Sequence, residues 1–273
     1  FSVPSFIEGT YDVYVADWGH NQACLSNQLL SSATNVHNYE LLKGYYDDFT
    51  FDLGWVVTGN PSSGDWERGV PVGTFFNSAP SNPGIDSQTD CMDQAYVTGN
   101  GGGNAPDDDI DGGQTVLTSP VFDLSTYGDA YIHFDRWFFN DGGSGTPNDS
   151  MVITLSNGIT AIDVDVAIEN TANNGTWVTN TFKVSTVILP TANMQLTIRA
   201  MDQSPGHLVE GGFDKFFVID SSSVGIETMT IATDLLIYPN PFNNELTVKM
   251  AKTFDVLKVE VYEITGKMID NKQ

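Results

Sequence analysis

The residues best equipped for chemistry in this sequence are its aspartates. Twenty-six Asp and nine Glu stand against eleven Lys and Arg, giving a formal net charge of −24. The acids gather at Asp47-Asp48, in the run Asp107-Asp108-Asp109-Ile110-Asp111-Gly112-Gly113, and at Asp214. Ca2+ takes six to eight oxygens from carboxylates, backbone carbonyls and water. Asp109 and Asp111 lie two residues apart, so an extended loop turns both toward one point. Carboxylates packed together repel one another, and a bound cation relieves that cost. The plainer reading is a set of turn-forming aspartates with solvated charge. The EF-hand spacing is absent.

Other catalytic arrangements fail in turn. No GxSxG or HExxH pattern occurs, and the four histidines (20, 37, 133 and 207) are scattered. His133 and Asp135 share one face of a predicted strand, which suits a structural histidine better than a base. No enzymatic activity is expected. The cysteines, Cys24 and Cys91, have no CxxC spacing and form a candidate disulfide in an exported protein. Trp66 sits among Gly and Asp and is a candidate sugar platform, whereas Trp55, Trp137 and Trp177 read as core. The charge excludes nucleic acid and anionic lipid as partners. No apolar run reaches the ~20 residues of a membrane helix. The opening at Phe1 suggests a mature form or a fragment.

Strands must position these groups. Alternation places Ile162, Val164, Val166 and Ile168 on one face, with a mostly acidic face toward water. Met194, Leu196, Ile198 and Ala200 alternate likewise, and Tyr131–Phe139 is apolar on both faces. Further runs lie at 115–121, 150–156, 177–184 and 213–220, separated by Gly, Asn, Pro and Asp. Seven or more strands in about 175 residues predict an all-β chain built on a jelly-roll β-sandwich. Charge divides the chain too. Residues 45–220 carry 24 acids and 5 bases, and residues 229–273 carry 6 and 5. Boundaries are expected near residue 44 and in a Ser-rich linker at 221–228.

The run Gly9-Thr10-Tyr11-Asp12-Val13-Tyr14-Val15-Ala16-Asp17-Trp18-Gly19 resembles the closing strands of carboxypeptidase regulatory-like β-sandwich modules. Residues 1–44 are then the end of such a module, or else an extended hairpin leaning on the next domain. The blocks Tyr46-Asp47-Asp48-Phe49, Gly54-Trp55, Asp109-Ile110-Asp111-Gly112-Gly113, Leu117-Thr118-Ser119-Pro120, Arg136-Trp137-Phe138 and Leu208-Val209-Glu210-Gly211-Gly212-Phe213-Asp214 follow one another in order. They resemble MAM-like, concanavalin-type jelly rolls appended to secreted bacterial proteins. The resemblance implies an accessory domain over 45–220 whose first and last strands pair, bringing Asp48 to Asp214. A structural Ca2+ is accordingly expected at Asp48, Asp109, Asp111 and Asp214, with Asp65 and Glu210 as weaker candidates.

The segment Leu236-Ile237-Tyr238-Pro239-Asn240-Pro241-Phe242, followed by Val259-Glu260-Val261-Tyr262-Glu263-Ile264-Thr265-Gly266-Lys267, resembles the C-terminal sorting domain of type IX secretion cargo. Tyr238, Pro239, Asn240, Pro241, Gly266 and Lys267 carry that likeness. Pro239 and Pro241 fix an extended entry, and Gly266 stands where a hairpin turns. Residues 229–273 are expected to form a small β-sandwich, incomplete at Gln273. The resemblance implies export across the outer membrane to the cell surface or medium, with the translocon and its shuttle proteins as partners. Two further readings stay open: a carbohydrate-binding module for a surface glycan, or the non-catalytic tail of a larger secreted hydrolase such as a peptidase.

Overall fold

A computed structural model describes residues 7–33, 36–88, 90–168 and 175–224, and in the C-terminal part 235–238, 247–250, 259–262 and 268–272. The chain divides into two compact units, Phe1–Ser223 and Val224–Gln273.

Among the described residues, the first unit has sixteen strands. They are β1 (Gly9–Val15), β2 (Ala23–Leu30), β3 (Tyr45–Asp47), β4 (Val56–Gly59), β5 (Trp66–Gly69), β6 (Thr74–Phe76), β7 (Ala79–Asn82) and β8 (Ala95–Thr98). The remainder are β9 (Gly103–Asn104), β10 (Gly113–Thr118), β11 (Ala130–Asp141), β12 (Ser150–Ser156), β13 (Ala161–Ala167), β14 (Val178–Lys183), β15 (Gln195–Asp202) and β16 (Leu208–Asp220). One sheet runs β13-β12-β15-β10-β4. The other runs β14-β11-β16-β8-β5, with β3 pairing β16. The pairs within both sheets are antiparallel. The chain crosses repeatedly from sheet to sheet, the jelly-roll habit expected from the sequence.

The core lies between the sheets. Leu117, Ile153 and Ile198 from the first meet Ile132, Phe134 and Phe213 from the second, all fully buried. Each such side chain contributes roughly 1.5–3 kcal/mol by leaving water. The longest strands, β11 and β16, are central and covered on both faces, which is why 131–139 reads as apolar throughout. Gly212 on β16 lies against Trp137, where a Cβ would stand 2.0 Å from the indole nitrogen. Only glycine admits that ring there.

One strand departs from the expected pattern. In β13 a bulge opposite Ile153 and Thr154 makes Val164 an extra residue. The alternation changes face beyond it, so Ala167 reaches the core while Val166 and Ile168 stay exposed; Val164 itself packs on the core, and Ile162, before the bulge, is also exposed. Asp165 does not meet water as expected. It turns inward to Arg136 on the opposite sheet, with Nε to Oδ2 at 2.7 Å.

The boundary expected near residue 44 does not separate two compact units. β1 and β2 form a hairpin, and the turn between them carries Trp18 into the sandwich. Its ring stacks on Phe216 at 6.0 Å and meets Tyr45, Trp55 and Phe122, while Nε1 donates to the Val121 carbonyl at 2.8 Å. Cys24 and Cys91 form a disulfide that joins β2 to the loop after β7. The hairpin leans on the domain through this ring and this bridge.

In the second unit β17 (Leu235–Tyr238) pairs with β18 (Thr247–Met250), and β19 (Val259–Tyr262) with β20 (Met268–Lys272). Both pairs are antiparallel.

Candidate metal centre and sorting segment

The loop between β7 and β8 contains Asp86, Asp90 and Cys91. It folds over β16, and Ser87 N–H donates to Asp214 Oδ2 at 3.0 Å, while Ser87 Oγ bonds Asp135 on β11. Carboxylate oxygens of Asp86, Asp90 and Asp214 consequently lie within 4.8 Å of one another. Asp86 and Asp214 are buried, and Oδ2 of Asp86 and of Asp90 is shut from solvent with no hydrogen-bond partner. Burial, and then the charge of Asp90, pushes Asp214 well above the usual carboxylate range. Burial followed by Asp86 raises Asp90 to about 7, and burial followed by Asp93 raises Asp86 to about 6. Lys215 tempers both and donates its Nζ to the Gln88 carbonyl at 2.9 Å. Three converging carboxylates with unpartnered, dry oxygens suit a hard divalent cation.

The expected ligands fall in different places. β3 pairs antiparallel with β16, as expected of first and last strands. This brings Asp48 near the cluster, where its charge raises Asp86 and Asp90. Yet Asp48 is already satisfied by Thr50 N–H, Gln22 Nε2 and Cys91 N–H. Its other close neighbours are the sulfurs of the Cys24–Cys91 disulfide, which offer no thiolate to a metal. Asp214 is a member of the cluster. Asp109 and Asp111 belong to no described ligand group. Their loop is stitched instead to Ser62 and Ser63, with Ser63 Oγ donating to the Asp109 carbonyl and to Asp111 Oδ2 at 3.0 Å each. Gly64, at a φ of +74°, allows the close approach of the Asp109 carbonyl. Asp65 accepts from Thr115 Oγ1.

Asp86 and Asp90 went unnoticed in the sequence because neither belongs to an acidic run. The available signal was their spacing of four between Pro83-Gly84 and Cys91, a short loop with both ends fixed. Trp66 is 3% exposed and packed in the core, so it has no face for a sugar. His133 stacks on Phe217 at 4.4 Å and bonds Thr181 Oγ1 through Nδ1 at 2.7 Å, a structural histidine.

Glu210 has a separate consequence. It is fully buried, with both oxygens 2.7 Å from Thr74 Oγ1. Burial pushes it up to about 7, partly offset by the hydrogen bonds of Thr74 and Ser81. A carboxyl that is harder to ionise folded than unfolded favours the fold fully below about pH 4.5, and loses that advantage as pH rises to about 7. Glu210→Gln is therefore expected to match the parent near pH 4 and exceed it by about 3 kcal/mol at pH 8. Denaturant midpoints in excess calcium at the two pH values check this; an equal gap at both would refute it.

In the C-terminal unit Tyr238 ends β17, opposite Thr247. Pro239, Asn240, Pro241, Gly266 and Lys267 lie outside the described residues. Residues 236–273 match the family model of the secretion system C-terminal sorting domain. The chain carries a secretion sorting domain. That domain marks it as type IX secretion cargo, exported across the outer membrane to the cell surface or extracellular space. Curated proteins yield no match. Among solved structures, the K2 cleaved adhesin domain of Lys-gingipain is 13% identical, covering 64% of this chain and 97% of that one at a TM-score of 0.37. The K1 domain of Lys-gingipain from Porphyromonas gingivalis W83 is 12% identical over 65% and 98%, at 0.34. A family 11 carbohydrate-binding module of Clostridium thermocellum is 15% identical over 64% and 92%, at 0.33.

Proposed function

We propose that residues 1–223 form a non-catalytic accessory module, of the MAM-like kind, that the sorting domain delivers to the cell surface and that Ca2+ holds together there. The observation that carries this reading is the convergence of Asp86, Asp90 and Asp214 with two buried, unpartnered oxygens. Without a cation the cluster is a source of strain; with one it pins the loop to β16. The triad supplies three carboxylates, and neighbouring loop carbonyls and water complete a calcium shell. The function is then structural. The loop that the ion fixes also holds Cys91, and through it the N-terminal hairpin.

Melting with and without EDTA tests this. A ligand that binds only the folded state adds RT ln(1 + [L]/Kd), about 2.7 kcal/mol at a hundredfold excess over Kd. For a domain of this size that is a rise of roughly 5–10 °C on adding calcium. Asp90→Asn is expected to act in two directions. It should stabilise the calcium-free protein by relieving repulsion and abolish the calcium-dependent rise. An unchanged melt on chelation, or a full calcium response in the variant, counts against the site.

A further inference from the structure

A second cluster differs from the first in chemistry. Asp149 precedes β12, Asp202 ends β15 and His207 precedes β16. Pairing of β12 with β15 sets Asp149 beside Asp202, and the loop 203–206 that crosses to the other sheet folds His207 back onto them, so that ligand atoms of all three lie within 4.8 Å of one another. His207 Nδ1 is 3.0 Å from Asp149 Oδ2, and both side chains are fully buried. His207 Nε2 is equally buried and has no hydrogen-bond partner.

The carboxylates are held by the backbone. Asp149 accepts from Gln203 N–H at 2.5 Å, and Asp202 from His207 N–H and Gly112 N–H at 3.0 Å each. The loop 203–206 is thus tied down at both ends by the side chains it surrounds. Asp202, at 9% exposed, is the most open of the three.

We propose that Asp149, Asp202 and His207 form a binding site for a transition-metal cation of the Zn2+ class, distinct from the oxygen-only calcium cluster. Imidazole nitrogen selects zinc-like ions, whereas an all-oxygen set suits calcium. Adjacent ligands about 2.1 Å from a shared Zn2+ stand about 3.0–3.4 Å apart, which the imidazole and the Asp149 carboxylate already match. The two carboxylates supply the charge that a buried divalent ion requires. The bare imidazole nitrogen marks the set as incomplete without a further occupant, because a buried polar atom ordinarily has a partner. Zinc held by the three residues takes the place of the hydrogen bond between Nδ1 and Asp149, and any proton there passes to solvent.

The test uses the whole chain in excess calcium, so that the oxygen-only cluster is saturated, with Zn2+ alone as the probe. Ring nitrogen signals of the four histidines are followed by NMR during titration. One histidine is expected to shift at one equivalent of zinc, with a further rise in melting temperature beyond that given by calcium. His207→Ala is expected to remove that signal and weaken zinc binding at least about 100-fold, and Asp149→Asn to weaken it roughly 10- to 100-fold while retaining the fold. The proposal is overturned if no histidine responds at one equivalent. It is equally overturned if the responding ring persists in His207→Ala, or if zinc binds Asp149→Asn as tightly as the parent. Should His207→Ala not fold, the parent spectrum and Asp149→Asn decide the matter. Loss of the EDTA effect at Asp86, Asp90 and Asp214 leaves this result unaffected, so the two sites stand or fall separately.

Discussion

Replacing Cys24 and Cys91 together by serine is expected to lower the stability of the first unit by about 4 kcal/mol. The disulfide closes a loop with a sequence separation of 67. Cross-linking a loop of that length removes about 4 kcal/mol of chain entropy from the unfolded state. The melting temperature should fall by roughly 8–16 °C at this chain size. The loss is not confined to the unfolded state, because the bridge covalently ties β2 to the loop at Cys91, next to Asp90. Once the bridge is gone, the loop bearing Asp86 and Asp90 is anchored by hydrogen bonds alone, among them Ser87 N–H to Asp214, Lys215 Nζ to Gln88, Trp177 Nε1 to Ile85 and the residue-91 N–H to Asp48. Calcium affinity should therefore drop along with stability, and added calcium should recover part of the loss. Melting of the double variant, with and without calcium, measures both effects. If the variant melts within a degree or two of the parent, the hairpin is held by Trp18 alone and the bridge is incidental.

The strands were legible in the sequence because period-2 alternation is a local property. Residues 150–156 were read at their observed limits, and 131–139 falls within β11. The pairing of β3 with β16 followed from the order of recognisable blocks rather than from any single residue. What escaped was everything set by contact between distant segments. Trp66 looked exposed because Gly and Asp surround it, yet β5 pairs with β8 and buries the ring. Unbroken alternation would bury Val166, but a single extra residue at Val164 reverses the face beyond it; Ile162, before the bulge and opposite Leu155, is 41% exposed all the same. The acid clusters show the same limit. Asp109 and Asp111 drew attention by adjacency, but adjacency in sequence separates into turn hydrogen bonds. Asp86, Asp90 and Asp214 meet only because a loop folds across a sheet. Charge composition divided the chain near residue 44, while an aromatic ring and a disulfide join what composition divides.

The remaining large effect concerns export. Truncation after Ser223 is expected to leave the sandwich folded and to abolish its appearance outside the cell. The first unit has its own core, and the buried residues that build it lie between Phe49 and Val218. The two units also differ in charge. The truncated chain loses the near-neutral segment and keeps the acidic sandwich, whose self-repulsion favours solubility. Its melting temperature in calcium should stay within about 2 °C of the full chain, since its buried core is built from its own residues. Export should nonetheless fall to background, because the residues matching the sorting-domain model, 236–273, are gone. Fractionation of cells expressing each form, with a periplasmic marker, distinguishes the outcomes. A truncated chain found folded in the periplasm, with the full chain at the surface, assigns the export signal to the second unit. A truncated chain that still reaches the surface would place the signal within the sandwich, and a truncated chain that fails to fold would show that the second unit supports the first.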